Sequence, residues 1–147
     1  MFLPALSFAQ QVEEVKFSFL DSLMKNTSDT TYIVNFWATW CKPCVHELPY
    51  FEELNSRVEK QKIKVILVSL DFKSQLNSRL IPYVKERKIK SKVVLLNEPD
   101  YNSWIDKVDS SWSGGIPATL VVNGSEKRHD FYEKEFTPEE LNKLLNH

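Results

Sequence analysis

The only two cysteines of this 147-residue chain stand two residues apart, in Trp40-Cys41-Lys42-Pro43-Cys44. They follow an apolar run, Tyr32-Ile33-Val34-Asn35-Phe36-Trp37, that reads as a buried strand, and a helical pattern comes after them. A C-x-x-C pair at a strand-to-helix junction can make and break a disulfide. A thiolate at a helix start is stabilised by unpaired backbone N–H groups and the positive end of the helix dipole. Cys41, where the helix begins, is expected to be the exposed nucleophile. Cys44, one turn in, is expected to be more buried and to resolve the mixed disulfide. Lys42 adds positive charge nearby, and Pro43 constrains the helix start. The competing reading is half of a zinc site, which needs two further ligands. The chain has no third cysteine, and its only histidines are His46, His129 and His147. No metal and no cofactor are expected.

Glu47 lies three residues after Cys44, on the same face of a helix. A carboxylate there could exchange a proton with the Cys44 thiol, and burial beside the thiols would raise its pKa. The competing reading is an ordinary solvated helix glutamate. Asn35 sits inside the apolar strand, where a buried amide must find partners. It either fixes the strand beneath the cysteines or ends at the sheet rim. Trp37 is assigned to the core, Trp40 to an apolar substrate surface, and His46 to solvent or substrate. The Ile116-Pro117 bond is a candidate for the cis form, which the residues alone leave open.

These groups need a scaffold to position them. Val15 to Phe19 reads as a first strand, followed by a short helix through Leu23-Met24. Tyr32 to Trp37 and Lys64 to Leu70 read as central strands. Between them lies a helix from Lys42 to about Lys60, kinked at Pro49. Leu76, Leu80 and Val84 mark another helix, with Pro82 near its middle or at a restart, and Val93 to Leu96 a short strand. Tyr101, Trp104, Ile105 and Val108 form an amphipathic helical face. Ala118 to Val122 and Lys127 to Tyr132 form a hairpin about Asn123-Gly124. Thr137-Pro138-Glu139-Glu140 opens a last helix with buried Leu141, Leu144 and Leu145. The order implies α/β layers around a mixed sheet, with a βαβ unit from Tyr32 to Leu70.

Composition is that of a globular protein, 42% hydrophobic and 27% charged with a net charge of −1. The balance gives no reason to expect nucleic acid or an anionic membrane as partner. The length suits one domain, assigned to residues 10–147. Residues 1–9 are apolar and small, and Ser7-Phe8-Ala9 before Gln10 has the pattern of a signal-peptide cleavage site. They are read as a signal-peptide remnant, which would put the protein in an oxidising compartment.

The stretch from Phe36 to Cys44, with Glu47, Pro49 and the Ile116-Pro117-Ala118-Thr119 segment, resembles the thioredoxin superfamily. More narrowly it is similar to the TlpA/ResA-like extracytoplasmic thiol-disulfide oxidoreductases of Bacteroidetes-type bacteria, over most of Thr30 to Leu145. The resemblance implies a thioredoxin-like fold with a short N-terminal extension. It also implies a cis Pro117 facing the cysteines, an Ile116 backbone that pairs with a substrate strand, and a Glu47 that tunes the thiols. Trp40, Lys42, Pro43, Ile116 and Pro117 become candidate substrate-binding residues beside the catalytic Cys41, Cys44 and Glu47. Asn35 stands where cytoplasmic thioredoxin has a buried aspartate, and an amide cannot serve as general base. The chain also lacks the G-x-P-E-T-like segment of the cytochrome-c maturation branch, which puts a haem-protein role in doubt.

The leading expectation is a periplasmic, monomeric reductase of disulfides in exported proteins, re-reduced by a membrane electron donor. The alternatives are a disulfide oxidase, a non-catalytic peptide-binding module on the same fold, and a copper or zinc chaperone.

Overall fold

The computed structural model describes residues 1–3 and 10–146. The Ser7-Phe8-Ala9 cleavage pattern lies outside the described residues. Among the described residues, six strands form one mixed sheet: β1 (Glu13–Val15), β2 (Thr31–Trp37), β3 (Ile63–Ser69), β4 (Lys92–Leu96), β5 (Ala118–Asn123) and β6 (Arg128–Tyr132). Their spatial order is β1-β4-β3-β2-β5-β6. The first four are parallel to one another, while β5 pairs antiparallel with both β2 and β6. Among the described residues, five α-helices accompany them: α1 (Phe17–Met24), α2 (Lys42–Val58), α3 (Ile81–Glu86), α4 (Ile105–Val108) and α5 (Pro138–Lys143).

The central strands read as continuous apolar runs because both sheet faces are covered. Strand alternation sends Ile33 and Trp37 to one core with Cys44, Leu48, Phe51 and Leu54 of α2. Val34 and Phe36 go to the other, with Leu20 of α1 and Trp104 and Trp112. Asn35, two residues from both Ile33 and Trp37, shares their face and is fully buried.

Several expectations shift. The first strand is only Glu13–Val15, and Phe17 to Met24 is helical, because Phe17, Leu20 and Met24 recur at helical spacing and pack on the second core. Over Leu76 to Val84 the helix restarts at Pro82, as one of the two expectations had it: a π-helical turn (Leu76–Leu80), preceded by a 3-10 turn (Lys73–Gln75), gives way to α3, which holds Pro82 in its first turn. Pro82 has no N–H to give the Ser78 carbonyl, so a regular i-to-i−4 ladder cannot run through it. The helical face from Tyr101 divides into a 3-10 turn (Tyr101–Ser103) and α4. The hairpin connection has the four residues that the expected strands left between them, shifted one position along the chain. It spans 124–127 and closes with Lys127 at φ 53°. Pro49 lies inside a continuous α2, and Thr137 caps α5 by accepting the Glu140 N–H at 3.3 Å.

Candidate active site

The C-terminal ends of β2, β3 and β4 lie on one edge of the sheet because the three strands are parallel. The start of β5 meets them there, since Ala118 pairs with Phe36. The segments 38–41 and 114–117 therefore converge at this edge without being close in sequence.

Cys41 is the N-cap of α2, in extended backbone geometry, and its Sγ accepts the Cys44 N–H at 3.4 Å. Pro43 occupies the first turn, where its missing N–H costs nothing. Cys41 and Cys44 are joined as a disulfide, with their Cα atoms 5.3 Å apart. The expected exposed nucleophile is in fact nearly covered in this oxidised form. Cys41 keeps 6% of its surface and Cys44 none, so the opening to solvent is on the Cys41 side alone. The carbonyl oxygen of Ile116 lies 3.8 Å from Cys41 Sγ. The Ile116-Pro117 peptide bond is cis, with Pro117 buried and Ile116 half-buried. Trp40, Lys42 and Pro43 are exposed around the same edge, and Trp37 is buried.

Glu47 is not a solvated helix glutamate: it has no exposed surface. Its Oε1 accepts Asn35 Nδ2 at 2.9 Å, and its Oε2 accepts the Phe136 N–H at 2.8 Å. Burial pushes its pKa from the ordinary carboxylate range up to about 7, against the stabilising pull of those two hydrogen bonds. The Glu135 carboxylate raises it further, and His46 lowers it. His46 itself is exposed and meets Glu135 Oε1 at 2.6 Å through Nδ1. Asn35 is not at the sheet rim. Its Nδ2 also lies 3.3 Å from Thr119 Oγ1, which ties β2, α2 and β5 together beneath the cysteines. Its Oδ1 has no hydrogen-bond partner.

Two features of the site carried no signal at sequence level. Phe136 reaches Glu47 through its backbone N–H, which any residue supplies. Asp71, buried after β3, accepts the Thr39 hydroxyl at 2.6 Å, the Thr39 N–H at 3.1 Å and the Ser69 hydroxyl at 2.6 Å. That clamp holds the loop leading into Cys41 against the end of β3. Among the described residues, no group of three or more His, Cys, Asp or Glu side chains is placed to hold a metal ion.

Chemically, the site offers a dithiol–disulfide couple at a helix N-terminus, a backbone carbonyl beside its more open sulfur, and a buried carboxyl that can hold a proton near neutral pH.

Among curated proteins, the thiol-disulfide oxidoreductase ResA of Oceanobacillus iheyensis is 44% identical over 39 residues, 26% of this chain and 20% of the relative. ResA of Geobacillus thermodenitrificans is 46% identical over 37 residues, 25% of this chain and 21% of the relative. The chain thus spans about a fifth of the length of these relatives. Among solved structures, a thioredoxin-related protein from Neisseria meningitidis serogroup B superposes with a TM-score of 0.68 at 19% identity, covering 85% of this chain and 88% of that one. StoA from Bacillus subtilis gives 0.61 at 22% identity, covering 80% and 84%. These superpositions establish the thioredoxin-like fold of the mixed sheet. The AhpC/TSA family model matches residues 7–127, which include the cysteine pair, Glu47 and the Ile116-Pro117 segment, and the chain belongs to that family.

Proposed function

We propose that the protein is a thiol-disulfide oxidoreductase that reduces disulfides in exported partner proteins. The observation that carries this reading is the Cys41–Cys44 pair capping α2, open to solvent only at Cys41 and backed by the buried Glu47. The ResA relatives, named as thiol-disulfide oxidoreductases, support it.

In the dithiol form, the Cys44 N–H and the α2 N-terminus favour negative charge on Cys41 Sγ. The Cys41 thiolate attacks one sulfur of the substrate disulfide. A Cys41–substrate disulfide forms, and the other substrate sulfur leaves as a thiolate that takes up a proton. Cys44, its proton drawn toward Glu47, attacks Cys41 Sγ and expels the second substrate sulfur. The substrate gains two electrons and two protons, and the protein is left with the Cys41–Cys44 disulfide. The Ile116 backbone, beside Cys41, aligns the substrate strand while Trp40, Lys42 and Pro43 border it. A membrane electron donor restores the dithiol, and the protein works as a monomer outside the cytoplasm.

The test is turnover of a protein disulfide by the dithiol form, with the Cys44→Ala variant used to trap the Cys41–substrate intermediate. Wild type should reduce the disulfide, Cys41→Ser should be inactive, and Cys44→Ala should accumulate a mixed disulfide visible on a non-reducing gel. Full activity in both variants would overturn the reading. A reduction potential near about −120 mV, with no reduction of substrate, would reverse the direction and make the protein an oxidase.

A further inference from the structure

Among the described residues, the large apolar side chains left exposed are Met1 to Leu3 at the N-terminus and three others: Trp40, Phe72 and Tyr101, at 50%, 64% and 42%. Those three are far apart in sequence but not in the fold. Each follows the C-terminal end of a parallel strand, Trp40 after β2, Phe72 after β3 and Tyr101 after β4. These strands are consecutive neighbours in the sheet. The aromatic side chains thus form a row along one sheet edge that begins beside Cys41.

The row is held in place. Trp40 and Phe72 flank Thr39 and Asp71, which are clamped to each other by hydrogen bonds. Phe72 and Tyr101 line one shallow pocket of about 80 Å³ with Leu70, Leu96 and Pro99. That volume is well below a small-molecule site and suits a single side chain. The charged groups at the pocket are already engaged. Asp71 holds Thr39 and Ser69, Lys73 meets Glu14 at 3.4 Å, and Glu98 accepts the Phe17 N–H at 3.2 Å. What remains unpaired is apolar. Exposed aromatic surface continuous with a reacting centre marks a place where a partner binds.

We infer that Phe72 and Tyr101 form a docking pocket for an apolar side chain of the polypeptide whose disulfide meets Cys41, with Trp40 bridging pocket and sulfur. Two strand spacings separate the ends of β2 and β4, roughly 10 Å. An extended chain covers that distance in about three residues. The preferred substrate therefore carries a Phe or Leu about three residues from its reacting cysteine. The inference rests on the oxidoreductase reading above.

The experiment uses the dithiol protein and short peptides, each with one cysteine held as a mixed disulfide with thionitrobenzoate. A Phe or a Ser is placed three residues from the cysteine, on either side. Release of the coloured thiolate gives kcat/KM, and free dithionitrobenzoate serves as a substrate too small to reach the pocket. Wild type should favour the Phe peptide of one polarity by about tenfold over its Ser counterpart. Phe72→Ser and Tyr101→Ser should cut that preference to below about twofold, leave the small disulfide unaffected, and Phe72→Leu should restore most of it.

Equal rates for Phe and Ser peptides in wild type, with the small disulfide still reduced, would overturn the docking pocket alone. An equal fall on the small disulfide in the Ser variants would also overturn it, because the substitutions would then act on the thiol site. Reduction of no disulfide at all would overturn the oxidoreductase reading and this one with it. Concentration-dependent dimerisation of wild type, abolished by Phe72→Ser, would assign the surface to a second copy instead.

Discussion

Asn35 Nδ2 donates to Glu47 Oε1 across 2.9 Å in a fully buried contact between β2 and α2, directly beneath the cysteine pair. An amide side chain can serve both protonation states of its partner. Its NH2 end suits the carboxylate. Its oxygen, which has no partner here, would accept from the carboxylic acid if the amide turned over.

Glu47→Gln should flatten the pH dependence of stability. A folded-state pKa of about 7 against an ordinary 4.5 means that the folded protein holds a proton which the unfolded chain has already released between those values. Stability is then highest below pH 4.5, falls as pH rises toward 7, and levels off above it. The full drop is about 3 kcal/mol. Urea unfolding at intervals from pH 4 to 8 should show that decline in wild type and lose it in the variant. The Cys44 thiol titration, followed by alkylation rate, should shift in parallel.

Asn35→Asp places a second carboxyl within hydrogen-bonding reach of Glu47. Two buried carboxylates this close cannot both ionise readily, so the pair should keep one proton to a higher pH than Glu47 alone does. Carboxyl carbon NMR titration should show two coupled steps, the upper one above the wild-type value. A single unchanged Glu47 titration would contradict the coupling.

The exposed pair beside the site should move Glu47 in opposite directions. Glu135 raises the Glu47 pKa and His46 lowers it. Glu135→Gln should therefore lower it and His46→Ala should raise it, with both shifts shrinking in high salt. The same NMR titration reads both.

Asp71→Ala removes the acceptor for the Thr39 hydroxyl and N–H and the Ser69 hydroxyl. The expected loss is about 3 kcal/mol, because the donors are left without their charged partner. The loop ahead of Cys41 should loosen, seen as faster amide exchange at Thr39. Asp71→Asn should cost less, since both hydroxyls can reverse and one carbonyl oxygen remains for the N–H.

Gly124→Ala should destabilise the hairpin end of the sheet. A Cβ there would run into the Asn26 carbonyl, which is backbone and cannot swing away. The loss should be about 2 kcal/mol in thermal or urea unfolding, with activity at the distant cysteines retained in the folded fraction.

Most strands and the long helix were legible because their cause is local. Ile63–Ser69 and Ala118–Asn123 are apolar runs that only a covered sheet can use, and the apolar positions of Lys42–Val58 recur at helical spacing. Where an expectation failed, two local signals competed. Phe17 to Met24 carried both an alternating start and a helical period, and packing of Leu20 against the sheet chose the helix. Around Pro82 the restart was legible, because a residue without an N–H fits the first turn of α3, whereas the π-helical turn before it had no local signal.

By itself, the amino-acid sequence determined the cysteine spacing, the helix that begins at it, the glutamate one turn beyond and the proline before the fifth strand. Each of these depends on neighbours a few residues away. The tertiary structure alone decided which groups meet. The backbone N–H that holds the buried Glu47 carboxyl comes from Phe136, 89 residues on, and the clamp on Thr39 from Asp71, 32 residues on. The aromatic row exists only because β2, β3 and β4 lie parallel and side by side. Backbone donors and strand order have no residue signature, so no spacing along the chain announces them.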